Sequence, residues 1–208
     1  MRLFRGCPPL GTLVRILLWG FVPALVLAIA ITGFHQSGRA SNERAAGAAM
    51  KTLTSAEADF RANDRDGNGV NDFWTGDVAG LYTLKNLRLI EPELAAADGA
   101  PLLPLSRKPE SRQGYRYQAL VYDNSTKGDE KEYRQSTVQG GPAQFNPSRF
   151  GFVGYPASSY AGVFQYLINE GNTIFRLKIE EHGLLLEWPS DGFFRSLETP
   201  RMSRMGDD

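Results

Sequence analysis

The chain has 208 residues, 42% hydrophobic and 22% charged, which suits one folded domain with an appendage and excludes wholesale disorder. Its 23 Lys+Arg balance 23 Asp+Glu, so no overall basic charge draws it to nucleic acid, and none is expected as a partner. A single cysteine, Cys7, excludes an internal disulfide framework and any cysteine-rich zinc module.

The balance is uneven along the chain. Residues 1–34 hold Arg2, Arg5 and Arg15 but no acid, leaving 20 basic against 23 acidic groups in the remainder. From Ile16 to Phe34 there is no charge, and a helix needs about 20 such residues to cross a hydrocarbon core. Trp19 and Phe34 lie near its ends, where aromatic rings suit the headgroup boundary. Residues 1–15 then read as a cytoplasmic segment, 16–34 as a transmembrane helix in contact with lipid, and 35–189 as an extracytoplasmic domain. A cleaved secretory signal is the rival reading, because Ala28-Ile29-Ala30 has the small-x-small form of a cleavage site.

Ser41 can cap a helix, with Glu43 near its positive end. Ala46, Met50, Leu53, Ala56 and Phe60 follow at spacings of three and four, with Arg44, Lys51, Glu57, Asp59 and Arg61 assigned to the opposite face. After a glycine-rich loop near 64–76, Leu81, Leu84, Leu87 and Ile90 suggest a shorter helix capped by Asp77. Residues 92–113 carry four prolines and read as a loop. Then the period changes to two. Tyr115–Val121, Arg149–Tyr155, Gly162–Asn169, Thr173–Ile179 and Leu184–Trp188 read as strands, with a weak one near Tyr133 and a turn at Glu170-Gly171. The tail, 190–208, reads as flexible. Helices followed by consecutive strands predict an α+β fold, with an antiparallel sheet packed on the long amphipathic helix.

The sharpest local signal is Asp64-Arg65-Asp66-Gly67-Asn68-Gly69-Val70-Asn71-Asp72. Counting Asp64 as one, oxygen donors stand at positions one, three, five and nine, with glycine at six and the Val70 carbonyl at seven. A hard cation wants six to eight oxygens, and this is the spacing of an EF-hand calcium loop. The predicted metal ligands are therefore Asp64, Asp66, Asn68, Val70 and Asp72, holding a structural calcium ion. Position twelve is Thr75 rather than a bidentate glutamate, so affinity should be modest, and the nearest later carboxylate is Asp77. Without a cation the aspartates would need Arg61 and Arg65 as countercharges. The plain alternative is a hydrophilic turn, since Asp-Gly and Asn-Gly pairs are turn formers.

No catalytic set is visible. His35 and His182 lack partners, Ser158-Ser159 lack a nucleophile elbow, and no phosphate loop or dinucleotide fingerprint occurs, so an enzyme is not expected. Tyr115, Tyr117, Tyr122, Phe150, Phe152, Tyr155, Tyr160, Phe164 and Tyr166 fit a sheet core, or else a glycan-binding face.

Asn42-Glu43 opening an alanine-rich helix, Leu53-Thr54-Ser55-Ala56-Glu57-Ala58-Asp59-Phe60-Arg61, the aspartate loop and Leu81-Tyr82-Thr83-Leu84 together resemble bacterial type II pilin-like and pseudopilin-like proteins. Gly114-Tyr115-Arg116-Tyr117, Phe150–Pro156 and Phe164–Gly171 look like a related uncharacterised bacterial family, domain of unknown function 2950. The resemblance covers roughly residues 40–189. It implies a membrane-rooted helix carrying a small antiparallel sheet, without enzymatic activity, and protein partners in a surface or secretion assembly. One feature departs from pilins, which carry a glutamate at the fifth position after a Gly-Phe processing site. Here Gly20-Phe21 leads to Leu25 and Gly33-Phe34 to Gly38, so a stand-alone anchored relative fits better than a filament subunit. A secreted or anchored binding module for cell-wall glycan or protein, with a cleaved signal, is the alternative function.

Overall fold

The computed structural model describes residues 10–103, 105, 110–126 and 131–196. Arg2, Arg5, Cys7 and residues 197–208 of the expected tail lie outside them. The chain divides into two units, one up to Gly38 and one from Arg39 onward. In the first unit, residues 10–38 begin helix α1, whose bounds are Leu10–Ala62. The side chains of 12–24 and 26–36 are outside the described set, so the stretch expected to span a membrane is described as helical backbone only. Among the described residues no helix is long and apolar enough to cross a membrane. Ser41 is not an N-cap, because it lies inside α1.

The second unit is α+β. After α1 come β1 (Phe73–Trp74), α2 (Gly80–Thr83), a 3-10 turn (Leu84–Asn86), α3 (Pro92–Ala96), β2 (Tyr115–Ala119), β3 (Phe145–Asn146), β4 (Gly151–Pro156), β5 (Phe164–Asn169), β6 (Phe175–Lys178), α4 (Ile179–His182) and α5 (Asp191–Ser196). Four strands form an antiparallel sheet in the order β2-β4-β5-β6, and β1 pairs with β3 in a separate two-stranded ribbon.

The core follows from two periodicities meeting. The three-and-four spacing of α1 buries Ala46, Met50, Leu53, Ala56 and Phe60, joined by Ala49, on one side. The two-residue period of β2 turns Tyr115, Tyr117 and Ala119 to that same cluster, where Phe152, Tyr166 and Ile168 join them. Alanines on the helix and Gly154 on β4 let the layers approach closely. A Cβ at 154 would stand 3.1 Å from the Met50 sulfur. The opposite sheet face collects Leu120, Tyr133, Val153, Leu167, Leu177 and Trp188, so β4 is covered on both sides. Five of the nine strand aromatics named above, Tyr115, Tyr117, Phe150, Phe152 and Tyr166, are therefore core, whereas Tyr122 and Tyr160 are exposed.

Several expected elements differ. The helix expected through Ile90 ends after Thr83, because Lys85, Asn86 and Arg88 take left-handed backbone angles. Leu84, Leu87 and Ile90 still pack on the core from beyond the end of that α-helix. Residues 92–96 are helical, with Pro92 in the first turn where its missing N–H costs nothing. Leu184–Trp188 is not a strand, and only Trp188 makes a bridge, to Asp123. No strand includes Tyr133, which stands beside the bridges Tyr122–Glu132 and Gln135–Phe145. Asp191–Ser196 is helical where a flexible tail was expected. The β5–β6 turn gets its positive φ from Asn172 (53°), not from Gly171.

The loop after β4 is tied to α1 by hydrogen bonds from Asn42 Nδ2 to the Ala161 carbonyl (3.0 Å) and from the Val163 N–H to Glu43 Oε1 (3.1 Å). Gly162 in that loop lies against the Tyr115 hydroxyl, and a Cβ there would come within 2.1 Å of it. That hydroxyl is held by the Phe164 carbonyl at 3.0 Å. Gly162→Ala is therefore expected to cost about 1–3 kcal/mol in urea unfolding, through overpacking and displacement of Tyr115.

Candidate metal centre

The aspartate loop connects the end of α1 to β1, and its backbone is shaped by its own side chains. Asp64 has a φ of 43°, and Gly67 and Gly69 take 66° and 81°, the left-handed region that glycine enters without a Cβ clash. The Asp64 carboxylate accepts the N–H groups of Asn68 and Gly69, both at 3.0 Å. Asn68 Oδ1 accepts the Val70 N–H at 2.6 Å, and Asn68 Nδ2 donates to Asp72 Oδ2 at 3.3 Å. A residue from another part of the chain completes the frame: Thr137 Oγ1 donates to Asp72 Oδ2 at 2.5 Å.

The five predicted ligands are thus brought into one turn, but not equally exposed. Asp66 and Asp72 are buried, at 5% and 1% exposure, while Asp64, Asn68 and Val70 are half-buried. Asp66 Oδ1 and Asp72 Oδ1 are buried and have no hydrogen-bond partner among the described residues. Burial, with the neighbouring Asp64 and Asp72 carboxylates adding to it, pushes the Asp66 carboxyl above its usual range.

Glu57, whose charge places it on the solvent face of α1 by sequence, is fully buried. Its Oε2 accepts the Trp74 N–H at 3.0 Å, while Oε1 has no partner among the described residues. Burial drives its carboxyl well above the ordinary value; the Trp74 N–H opposes this, and the Asp72 charge adds to it. The signal was present in the spacing, because Glu57 stands four residues after Leu53 and three before Phe60, on the apolar stripe itself. Thr137 gave no such signal, lying 65 residues from Asp72 in sequence.

The expected countercharges are occupied elsewhere. Arg65 pairs with Asp59 at 2.8 Å, and the Arg61 guanidinium lies over the Phe73 ring, 4.8 Å from its centre. Lys85 reaches the loop, but its Nζ donates to the Asp66 backbone carbonyl rather than to a carboxylate. Among the described residues no ion pair engages Glu57, Asp64, Asp66 or Asp72. Nor is any group of three His, Cys, Asp or Glu side chains among the described residues disposed to hold a metal as it stands.

Asp77, the later carboxylate near the loop, is fully engaged. Its Oδ1 accepts the Gly80 N–H at 2.7 Å and the Trp74 indole N–H at 3.2 Å, and its Oδ2 accepts the Leu102 N–H at 2.7 Å. Asp77 is not the N-cap of α2, which is Ala79 without a side-chain cap, but its bond to the Gly80 N–H reaches the first residue of that helix. His182 ends α4, its ring edge-on to Phe193 at 5.5 Å and its Nε2 3.9 Å from Glu181.

No protein-family model, curated protein or solved structure matches the chain.

Proposed function

We propose that the chain is a non-enzymatic, single-pass protein, anchored in lipid through residues 16–34, which displays a pilin-like α+β body outside the cytoplasm. Its loop 64–72 takes a structural calcium ion, and its partners belong to a surface or secretion assembly. The carrying observation is the uncharged run from Ile16 to Phe34 within the same helix, α1, whose later turns pack on the sheet. Such a run has no polar stripe to turn to water, whereas the later turns have one. The calcium part draws on the donor chemistry of the loop, all oxygen, and on the unpartnered buried oxygens of Asp66 and Asp72.

Membrane fractionation and intact mass on the native full-length product test the anchor. Retention in a carbonate-washed membrane pellet, at the mass of the uncleaved chain, is expected. An uncleaved product found dissolved in cytosol overturns the proposal. For the ion, sites of this kind bind at about 0.1–1 mM, so about 10 mM calcium should add about 1.4–2.7 kcal/mol to stability. A melting temperature indifferent to calcium, together with no terbium emission sensitised through Trp74, would leave the loop a turn.

A second reading, a binding module for cell-wall glycan or protein released by signal cleavage, has one observation in its favour. A cleft of about 480 Å³ is lined by Tyr155, Pro156, Ser159, Val163, Ile179 and Leu184. A mass lacking the first thirty or so residues, together with glycan retention in a pull-down, would favour it.

A further inference from the structure

We propose that Glu57 supplies the carboxylate that the loop lacks at its twelfth position, so that a divalent cation is held jointly by helix α1 and residues 64–72. This rests on the calcium reading of the loop and goes beyond it by adding a ligand from a different element.

The loop alone is short of donors. Its closing position is Thr75, whose Oγ1 donates to the Tyr133 carbonyl at 3.3 Å and whose N–H donates to the Gln144 carbonyl at 2.8 Å. Thr75 is thereby tied to the ribbon side and not to the loop. Asp77 offers no replacement, since its Oδ1 is shared by the Gly80 N–H and the Trp74 indole and its Oδ2 accepts the Leu102 N–H, which tie it to α2 and to residue 102 rather than to the loop. An ion on Asp64, Asp66, Asn68, Val70 and Asp72 would have five protein donors, one fewer than the minimum a calcium ion prefers.

Glu57 has what is missing. It is fully buried, it is anchored through Oε2 on Trp74, two residues beyond Asp72, and it keeps Oε1 unpartnered. Three buried carboxylates, Glu57, Asp66 and Asp72, each carry one unpartnered oxygen, and no basic side chain pairs with them among the described residues. Unpaired buried carboxylates are costly, and a divalent cation drawing them together would remove that cost. The ion would then fasten α1 to the loop leading into β1. Through the Thr137 bond to Asp72 it would also engage the segment before β3.

The test uses the full-length chain in detergent micelles, titrated with calcium alone. Binding is followed by calorimetry for wild type, Glu57→Gln and Asp66→Asn, and melting is recorded in chelator. Difference infrared spectra are recorded on wild type labelled with ¹³C-glutamate. Asp66→Asn should lose binding, and Glu57→Gln should weaken it at least about tenfold. In chelator, Glu57→Gln should melt no lower than wild type, because glutamine still accepts the Trp74 N–H and removes a buried charge. The labelled protein should show a glutamate carboxylate band moving on calcium addition, which the loop's aspartates, asparagine and carbonyl cannot produce. That spectrum needs no variant, and a stationary band overturns the role of Glu57 even should Glu57→Gln fail to fold. Wild-type affinity in Glu57→Gln, or a stationary glutamate band while calcium binds, overturns the role of Glu57 and leaves the loop site standing. Absence of binding to wild type at about 10 mM calcium overturns both.

Discussion

Truncation of Trp74 to alanine is expected to cost about 3–5 kcal/mol, the range for removing a large buried aromatic side chain. Its indole is 3% exposed and packs against Phe60 and Phe145, with ring centres at 6.4 and 5.4 Å. The indole N–H donates to the Asp77 carbonyl at 2.7 Å. Gly76 and Gly80 hold no side chain because the ring occupies that space; a Cβ at either would lie within 2.5 Å of it. Neighbours without side chains cannot swing in to fill the hole, so the cavity should persist rather than collapse. Small domains have about 5–15 kcal/mol in total, so the variant should lose a large part of its stability. Urea unfolding measures this, with Tyr160→Ala as the control. Tyr160 is 77% exposed, and its loss should fall within about 0.5 kcal/mol of wild type. Should Trp74→Ala unfold within about 1 kcal/mol of wild type, the packing around β1 is looser than the ring contacts imply.

The elements legible in the sequence were those whose own periodicity decides them. The apolar stripe of α1 and the alternation of β2 mark elements that bury one face, while β4 and β5, covered on both faces, stand out as short apolar runs. What was not legible depends on distant partners. Phe145-Asn146 is a strand only because Phe73-Trp74 lies opposite it, and two residues carry no period. Leu184–Trp188 is a short apolar run like a strand, yet Trp188 is drawn to Asp123 while the Leu185 N–H is taken by the Gln165 side chain at 2.8 Å. At the candidate metal centre, the loop donors could be read from their spacing. The burial of Glu57 follows from the same helical spacing as its neighbours, but its charge suggested solvent. Thr137 and the engagement of Asp77 emerge only when the chain is folded.

Asp98 carries the second large expected effect. It is buried, and its carboxylate accepts three backbone N–H groups: Val78 at 2.7 Å and Ala79 at 2.8 Å on Oδ2, and Ala100 at 2.8 Å on Oδ1. It therefore fixes the turn that enters α2 and the segment following α3. Asp98→Ala strands three donors in a place water does not reach, so a loss of about 3 kcal/mol or more is expected, at about 1–3 kcal/mol for each unsatisfied group. The same residue should impose a pH dependence. Burial pushes its carboxyl up to about 6, outweighing the N–H bonds that pull it down, and the nearby Asp77 charge raises it further. An unfolded aspartate titrates near about 3.9, so between about pH 4 and 6 the folded chain binds more protons than the unfolded one. Stability from this group is therefore highest below about pH 4 and falls as pH rises through about 6, the reverse of a salt-bridged aspartate. Melting curves from pH 4 to 7 in chelator should show this decline in wild type. Asp98→Asn cannot titrate, and its amide presents donors to at least one backbone N–H, so it should melt lower throughout and with a shallower slope over the same interval. An Asp98→Asn slope as steep as that of wild type would assign the titration to other carboxyls, of which those of Glu57, Asp66 and Glu170 are also shifted upward.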